Sequence, residues 1–303
     1  MDNFLLILAY LGIGLCLRRV RGMPENTAVA LNAYALNVAL PAVILSNVPL
    51  LTFSSALLIP TITPWLLMLL VVPLVIVLGR LLHWPREVVG ALLIVLPLGN
   101  TSYLGFPLVQ SFFGAAGMPY AMVYDQLGSF LALSSYAVVI AALYSPQVDT
   151  PSAGAIARRI LSFPPFLALL AGLALRGVSL PPLAGQLITS IAATLVPLVM
   201  VAVGFQISIR LARSERLTLA IALGIKLLLM PLCTYLLWHA WGQRGLATQV
   251  AVFQAAMPPM ISAGTIAIMA GLAPRLVTGL IGIGILISLA SLPTLYWLLS
   301  HST

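Results

Sequence analysis

The stretch LPLGNTSYLGFPLV, Leu96 to Val109, lies inside a strongly apolar segment. It holds Pro97 and Pro107, Gly99 and Gly105, and the polar triplet Asn100, Thr101 and Ser102. A proline inside a helix removes a backbone donor and pushes away the carbonyl one turn back. Two prolines about ten residues apart, with glycines between them, predict local unwinding. In hydrocarbon, freed N–H and C=O groups cost several kcal/mol each unless protein or water satisfies them. An unwound stretch at membrane depth therefore belongs where protein lines a cavity.

The surrounding chain makes the membrane setting firm. Of 303 residues, 61% are hydrophobic and only 7% charged, with a mean hydropathy of +1.13. A soluble domain of this size carries about a quarter charged residues. The chain cannot cover itself with a polar surface, and apolar runs long enough to cross a bilayer recur along it. The N-terminal run does not read as a secretory signal. Asp2 precedes it, and Arg18, Arg19 and Arg21 follow it, the reverse of a signal peptide's charge order. Cys16 and Cys233 fit no metal spacing or disulfide framework and read as small core residues.

Ten spans are predicted, at 3–18, 27–47, 56–82, 88–110, 119–144, 159–176, 182–209, 216–241, 245–270 and 274–299. The linker SPQVDTPSAGA, from Ser145, divides the chain into halves 1–150 and 151–303 of five spans each. Loops after odd-numbered spans hold Arg18, Arg19, Arg21, Arg80, Arg86, Arg158, Arg159, Arg210, Arg213, Arg216 and Arg275. Loops after even-numbered spans hold only Arg176 and Arg244. This asymmetry puts the odd-span exits in the cytoplasm and both termini outside, in a multi-pass protein of the plasma (inner) membrane. It also accounts for the net charge of +8, so nucleic acid is not an expected partner; the lipid bilayer is.

Five spans per half is an odd number, so the second half enters the membrane inverted. That is the arrangement of inverted repeats in secondary transporters. Proline echoes agree with it. Pro41 in span 2 answers Pro197 in span 7, and Pro97 in span 4 answers Pro258 in span 9. Span 9 carries its own break, FQAAMPPMISAGT, Phe253 to Thr265, with Pro258 and Pro259 adjacent. Two broken helices at matching positions point to a midplane binding site. Half-helix N-termini there favour anions.

At these residues the chain resembles the auxin efflux carrier family, including bacterial members of the malonate or malate permease type. The pattern N-T-x-x-x-G-x-P-L at Asn100, Thr101, Gly105, Pro107 and Leu108 is similar to the crossover in that family's fourth helix. A-A-M-P, Ala255 to Pro258, is similar to the crossover in its ninth. LNVALPAVIL at Leu36–Leu45, FPPFLALLAGL at Phe163–Leu173 and KLLLMPL at Lys226–Leu232 fall where members have similar runs. The resemblance implies an all-α, ten-helix fold of the sodium/proton-antiporter or bile-acid-transporter type. Spans 1, 2, 6 and 7 would form a scaffold, through which members often pair as homodimers. Spans 3–5 and 8–10 would form the transport unit. Implied substrates are small organic anions such as carboxylates, carried by alternating access. The short central linker departs from the plant carriers, which puts auxin itself in doubt.

Substrate contacts are expected from Asn100, Thr101, Ser102, Gln254 and Ser262. An amide at an unwound crossover can donate to a carboxylate; Asn100 can equally cap the following half-helix, as can Thr101 and Ser102. Pro97, Gly99, Gly105, Pro107, Met257, Pro258 and Pro259 shape the crossover, with Met257 read as packing. Tyr103 reads as core rather than gate. Asp125 is an intramembrane acid, which is either a proton or cation site or a structural, hydrogen-bonded group. Lys226 lies about ten residues into span 8, about 15 Å from its start. Its ammonium either attracts an anion, pairs with Asp125, or snorkels to the surface. Asn32 and Asn37 read as helix contacts, and His83 and His239 as interfacial. No Ser-His-Asp set, metal-ligand helix or phosphate loop is present, so neither enzyme chemistry, a metal nor a cofactor is expected. The alternative function is a sodium- or proton-coupled carrier or antiporter on the same architecture. A membrane sensor without flux has little loop surface to work with.

Overall fold

A computed structural model of the chain describes residues 2–50, 54–145, 152–178, 180–206 and 215–301. Most of the linker after Ser145 lies outside the described residues, as do Arg210, Arg213 and the side chain of Arg159. The described residues are helical, with no strand beyond a single bridge between Gly99 and Pro259. Among them six helices are long and apolar enough to cross a membrane: Thr27–Asn47, Ser55–Leu81, Gly105–Tyr144, Pro182–Gln206, Arg216–Ala240 and Pro274–His301. The first predicted span forms the helix Asp2–Leu17 and the sixth the shorter helix Pro164–Ala174. Spans 4 and 9 are each cut by a break. The run Gly105–Tyr144 joins the end of span 4 to span 5 across a kink at Gly114, where φ is 66°.

The chain folds as two compact units. The first comprises Met1–Ser54, Ser102–Met122 and Arg158–Ile207. Here the helix Asp2–Leu17 packs on the helix Leu195–Gln206. Lipid tails are as apolar as leucine, so membrane helices associate through close packing of small residues rather than through exclusion from water. Gly14 and Gly204 supply that closeness. A side-chain carbon at Gly14 would meet the backbone of Val201, and one at Gly204 would meet the carbonyl of Leu11.

The second unit comprises Ser55–Thr101, Val123–Ala157 and Ser208–Thr303. Its core draws on Val71, Val75, Leu92, Ile94, Met230 and Val277, all buried. Hydrogen bonds tie its helices together: Trp238 Nε1 donates to Thr63 Oγ1 at 2.8 Å, and Tyr136 Oη to the Leu93 carbonyl at 2.9 Å. Three stretches of this unit widen into π-helix, Asp125–Phe130, Leu133–Ala137 and Ile225–Leu229. Pro231 explains the last. It has no N–H for the Leu227 carbonyl, so the turn before it opens. π-Turns gather at functional sites, and the first and last of these hold Asp125 and Lys226.

The cysteine expectation is corrected. Cys16 is exposed and Cys233 half-buried; a bilayer accepts a small apolar thiol on its lipid face as readily as a core does. Asn37 turns back on its own helix, donating from Nδ2 to the Ala33 carbonyl at 2.7 Å, instead of reaching a neighbour.

Candidate functional site

The first half of span 4, Arg86–Val95, ends where Pro97 cannot continue it. The next helix starts at Gly105. Pro107 therefore does not break a helix, contrary to the sequence expectation. It sits in a first turn, where its missing N–H has no intrahelical partner to lose. In span 9 the helix Leu246–Ala255 stops and Ile261–Met269 begins, with Pro258 and Pro259 between them.

The two breaks answer one another. Asn100 N–H donates to the Pro258 carbonyl at 2.8 Å, and Met260 N–H to the Leu98 carbonyl at 3.0 Å. Gly99 and Pro259 form an antiparallel bridge between them. Each break thus supplies the backbone partners that the other lost on leaving the helix. The helix Ile261–Met269 opens directly from this pairing without a side-chain cap, and Ser262 lies half-buried in its first turn.

Lys226 reaches the same place from the third helix involved. It is 1% exposed, so it does not snorkel. A side-chain carbon at Gly99 would lie 3.2 Å from Lys226 Nζ and 3.3 Å from Met257 Cβ. The glycine is what lets the amine rest against the bridged backbone. Nζ also contacts Met230 Sδ at 3.7 Å, and among the described residues no carboxylate lies within ion-pair distance of it. The pairing of Lys226 with Asp125 that the sequence left open is not formed. An ionisable group buried without a counter-charge is expensive, and in membrane proteins such groups mark function.

A chain of buried polar groups runs beside it. Gln254 Nε2 donates to the Thr101 carbonyl at 3.2 Å. Thr101 Oγ1 donates to Asp125 Oδ1 at 2.5 Å, and Gln126 Nε2 to Asp125 Oδ2 at 2.8 Å. Thr101, Asp125, Gln126 and Gln254 are all nearly or fully buried. The carboxylate has both oxygens engaged by donors. The Gln126 and Gln254 side-chain oxygens have no hydrogen-bond partner.

Of the residues expected at the site, Thr101, Asp125 and Gln254 are joined by hydrogen bonds, and Gly99, Met257 and Lys226 meet at the bridge. Asn100 is buried at the bridge and stands five residues before the helix at Gly105, outside the N-cap position. Ser102 lies in the turn before that helix, its carbonyl accepting from Phe106 N–H at 3.3 Å, and Tyr103 is buried. Gln126 was not anticipated. Its only signal is adjacency to an intramembrane acid in the triplet YDQ.

A multi-pass helical protein whose helices break and pair in its interior is of the class of membrane transporters. The chain belongs to the membrane transport protein family, whose model matches residues 2–296, and the resemblance to the auxin efflux carriers is borne out by it. An uncharacterized transporter of Methanothermobacter thermautotrophicus is 27% identical over 307 residues, covering 96% of each chain. Another, from Methanocaldococcus jannaschii, is 24% identical over 268 residues, covering 85% of each.

Proposed function

We propose that the protein carries small organic anions, carboxylates among them, by alternating access at the crossover of spans 4 and 9. The observation that carries this reading is the buried Lys226 amine, set against Gly99 with no acidic partner among the described residues. A buried amine at a helix crossover is a group that an arriving carboxylate would charge and pair. Asn100, Ser102, Gln254 and Ser262 supply amide and hydroxyl donors that would orient a carboxylate, and Thr101 joins them once its hydroxyl turns from Asp125. In this reading the ten spans form two inverted five-helix repeats. Spans 1, 2, 6 and 7 are the scaffold and dimer interface, and spans 3–5 and 8–10 the moving unit. Both termini face outward from the plasma (inner) membrane.

One observation favours ion coupling. The Asp125 carboxylate, with the free Gln126 and Gln254 oxygens near it in the polar chain, offers acceptors suited to a proton or small cation. The test is flux into proteoliposomes with a panel of labelled mono- and dicarboxylates, with and without a pH gradient or sodium. Saturable carboxylate uptake is expected; no uptake of any carboxylate would sink the anion reading. In Asp125→Asn, accumulation should lose its dependence on the ion gradient, while exchange of labelled for unlabelled anion persists. Gradient-driven accumulation intact in that variant would remove Asp125 from coupling.

A further inference from the structure

A second feature of the last three spans has no part in the crossover. Between the helices Met230–Ala240, Leu246–Ala255 and Pro274–His301 lies an open cavity of about 660 Å³. Its wall is almost wholly apolar, with Leu227, Leu232, Val252, Ala256, Ala290 and Leu298 on it. At one end it shares Tyr235 and Leu299 with a smaller polar pocket that holds His239, Arg244 and Thr248. Along the last helix the groove runs from Ile287 to Leu299, a rise of about 18 Å. One leaflet of hydrocarbon is about 15 Å deep.

The polar end is built. Arg244 Nη2 donates to His239 Nε2 at 3.4 Å, and the His239 ring stacks on Tyr235 with centroids 5.3 Å apart. This contact uses one of the five guanidinium donors. The Thr248 hydroxyl is buried and has no hydrogen-bond partner. Trp241 and Trp297, 61% and 58% exposed, lie within two residues in sequence of His239 and Leu299; exposed tryptophans favour the headgroup level of a bilayer. Arg244 is also one of only two arginines that break the charge asymmetry of the loops, so orientation does not explain it.

We propose that an anionic phospholipid of the surrounding bilayer occupies this groove. Its acyl chains lie along the apolar wall. Its phosphate takes the Arg244 fork and the Thr248 hydroxyl. Leu227 and Ala256 in the wall are the chain neighbours of Lys226 and Met257, so the lipid lies directly behind the crossover.

The test uses the full-length purified protein in mild detergent. It is equilibrated with phosphatidylglycerol and phosphatidylcholine of identical chains, and bound lipid is read by native mass spectrometry. Wild type is expected to retain one phosphatidylglycerol, preferred about fivefold over phosphatidylcholine, the contribution of one basic residue near the headgroups. Ala290→Trp, which fills the groove, should lose the retained lipid. Arg244→Gln, on an exposed loop where folding is not at stake, should keep a lipid and lose the preference. Equal retention in wild type and Ala290→Trp overturns the site. Absence of headgroup preference in wild type, or a preference intact in Arg244→Gln, overturns the assignment of the phosphate. Retention of palmitate with exclusion of phosphatidylglycerol overturns the phospholipid as occupant.

Discussion

Lys226→Met should abolish most carboxylate uptake while leaving the protein at least as stable as wild type. The two side chains are similar in length and volume, so the packing against Gly99 and Met230 is kept. Only the charge goes. Removing one partner of a desolvated charge pair costs a complex about 2–5 kcal/mol, which is about 30-fold to several thousand-fold in affinity. Replacing a buried charge by a hydrophobe is often neutral, or stabilising by about 1–4 kcal/mol. A lysine with a purely structural role gives the opposite pattern: stability falls and transport follows it down. Uptake titrations in proteoliposomes, set beside thermal unfolding of the same preparations, separate the two. Unchanged uptake in a folded Lys226→Met would remove the ammonium from the substrate site.

Gly204→Val should strongly destabilise the first unit. The added carbons project at the carbonyl of Leu11, and from the facing helix Gly14 projects at Val201. These are backbone atoms, so no side-chain rotation relieves the clash, and the helices must separate. Overpacking ordinarily costs about 1–3 kcal/mol; here the upper end applies, a fall in Tm of about 6–12 °C at about 2–4 °C per kcal/mol. Gly12→Val is the control, because nothing lies within 4 Å of a side-chain carbon at that position. Fluorescence-detected thermal unfolding in detergent should leave Gly12→Val near wild type. Equal losses in the two variants would mean that helix propensity, not the reciprocal contact, sets the cost.

Both breaks were legible in the sequence, because prolines and glycines act locally and their consequence does not depend on the rest of the chain. Pro97 with Gly99, and Pro258 with Pro259, fall in the breaks. What they do with each other was not legible. The bonds from Asn100 to Pro258 and from Met260 to Leu98 depend on register between segments distant in sequence, which no local pattern encodes. Pro107 was misread because a proline has two uses, as a breaker within a helix and as a starter in its first turn, and only the helix boundary tells them apart. The apolar runs located the membrane segments and the prolines their breaks, but not where each half-helix resumes, at Gly105 and at Ile261. Asp125 and Lys226 stood out as intramembrane charges. Their separation into a hydrogen-bonded acid and an amine without a carboxylate partner is a matter of tertiary placement. Gln126 has no signature of its own, since a buried amide and a surface amide are spelled alike.

The pairing of the two breaks also sets an order of events during synthesis. The carbonyl of Leu98 and the N–H of Asn100 emerge about 160 residues before Met260 and Pro258, their eventual partners. At translation rates of about 5–20 residues per second that is about 8–32 s. For that interval a nascent chain holds an open backbone segment which hydrocarbon will not accept. The insertion machinery, or water within it, must shelter span 4 until span 9 arrives. A ribosome stalled between the two spans leaves a half-made chain that quality control can recognise by this unclosed break.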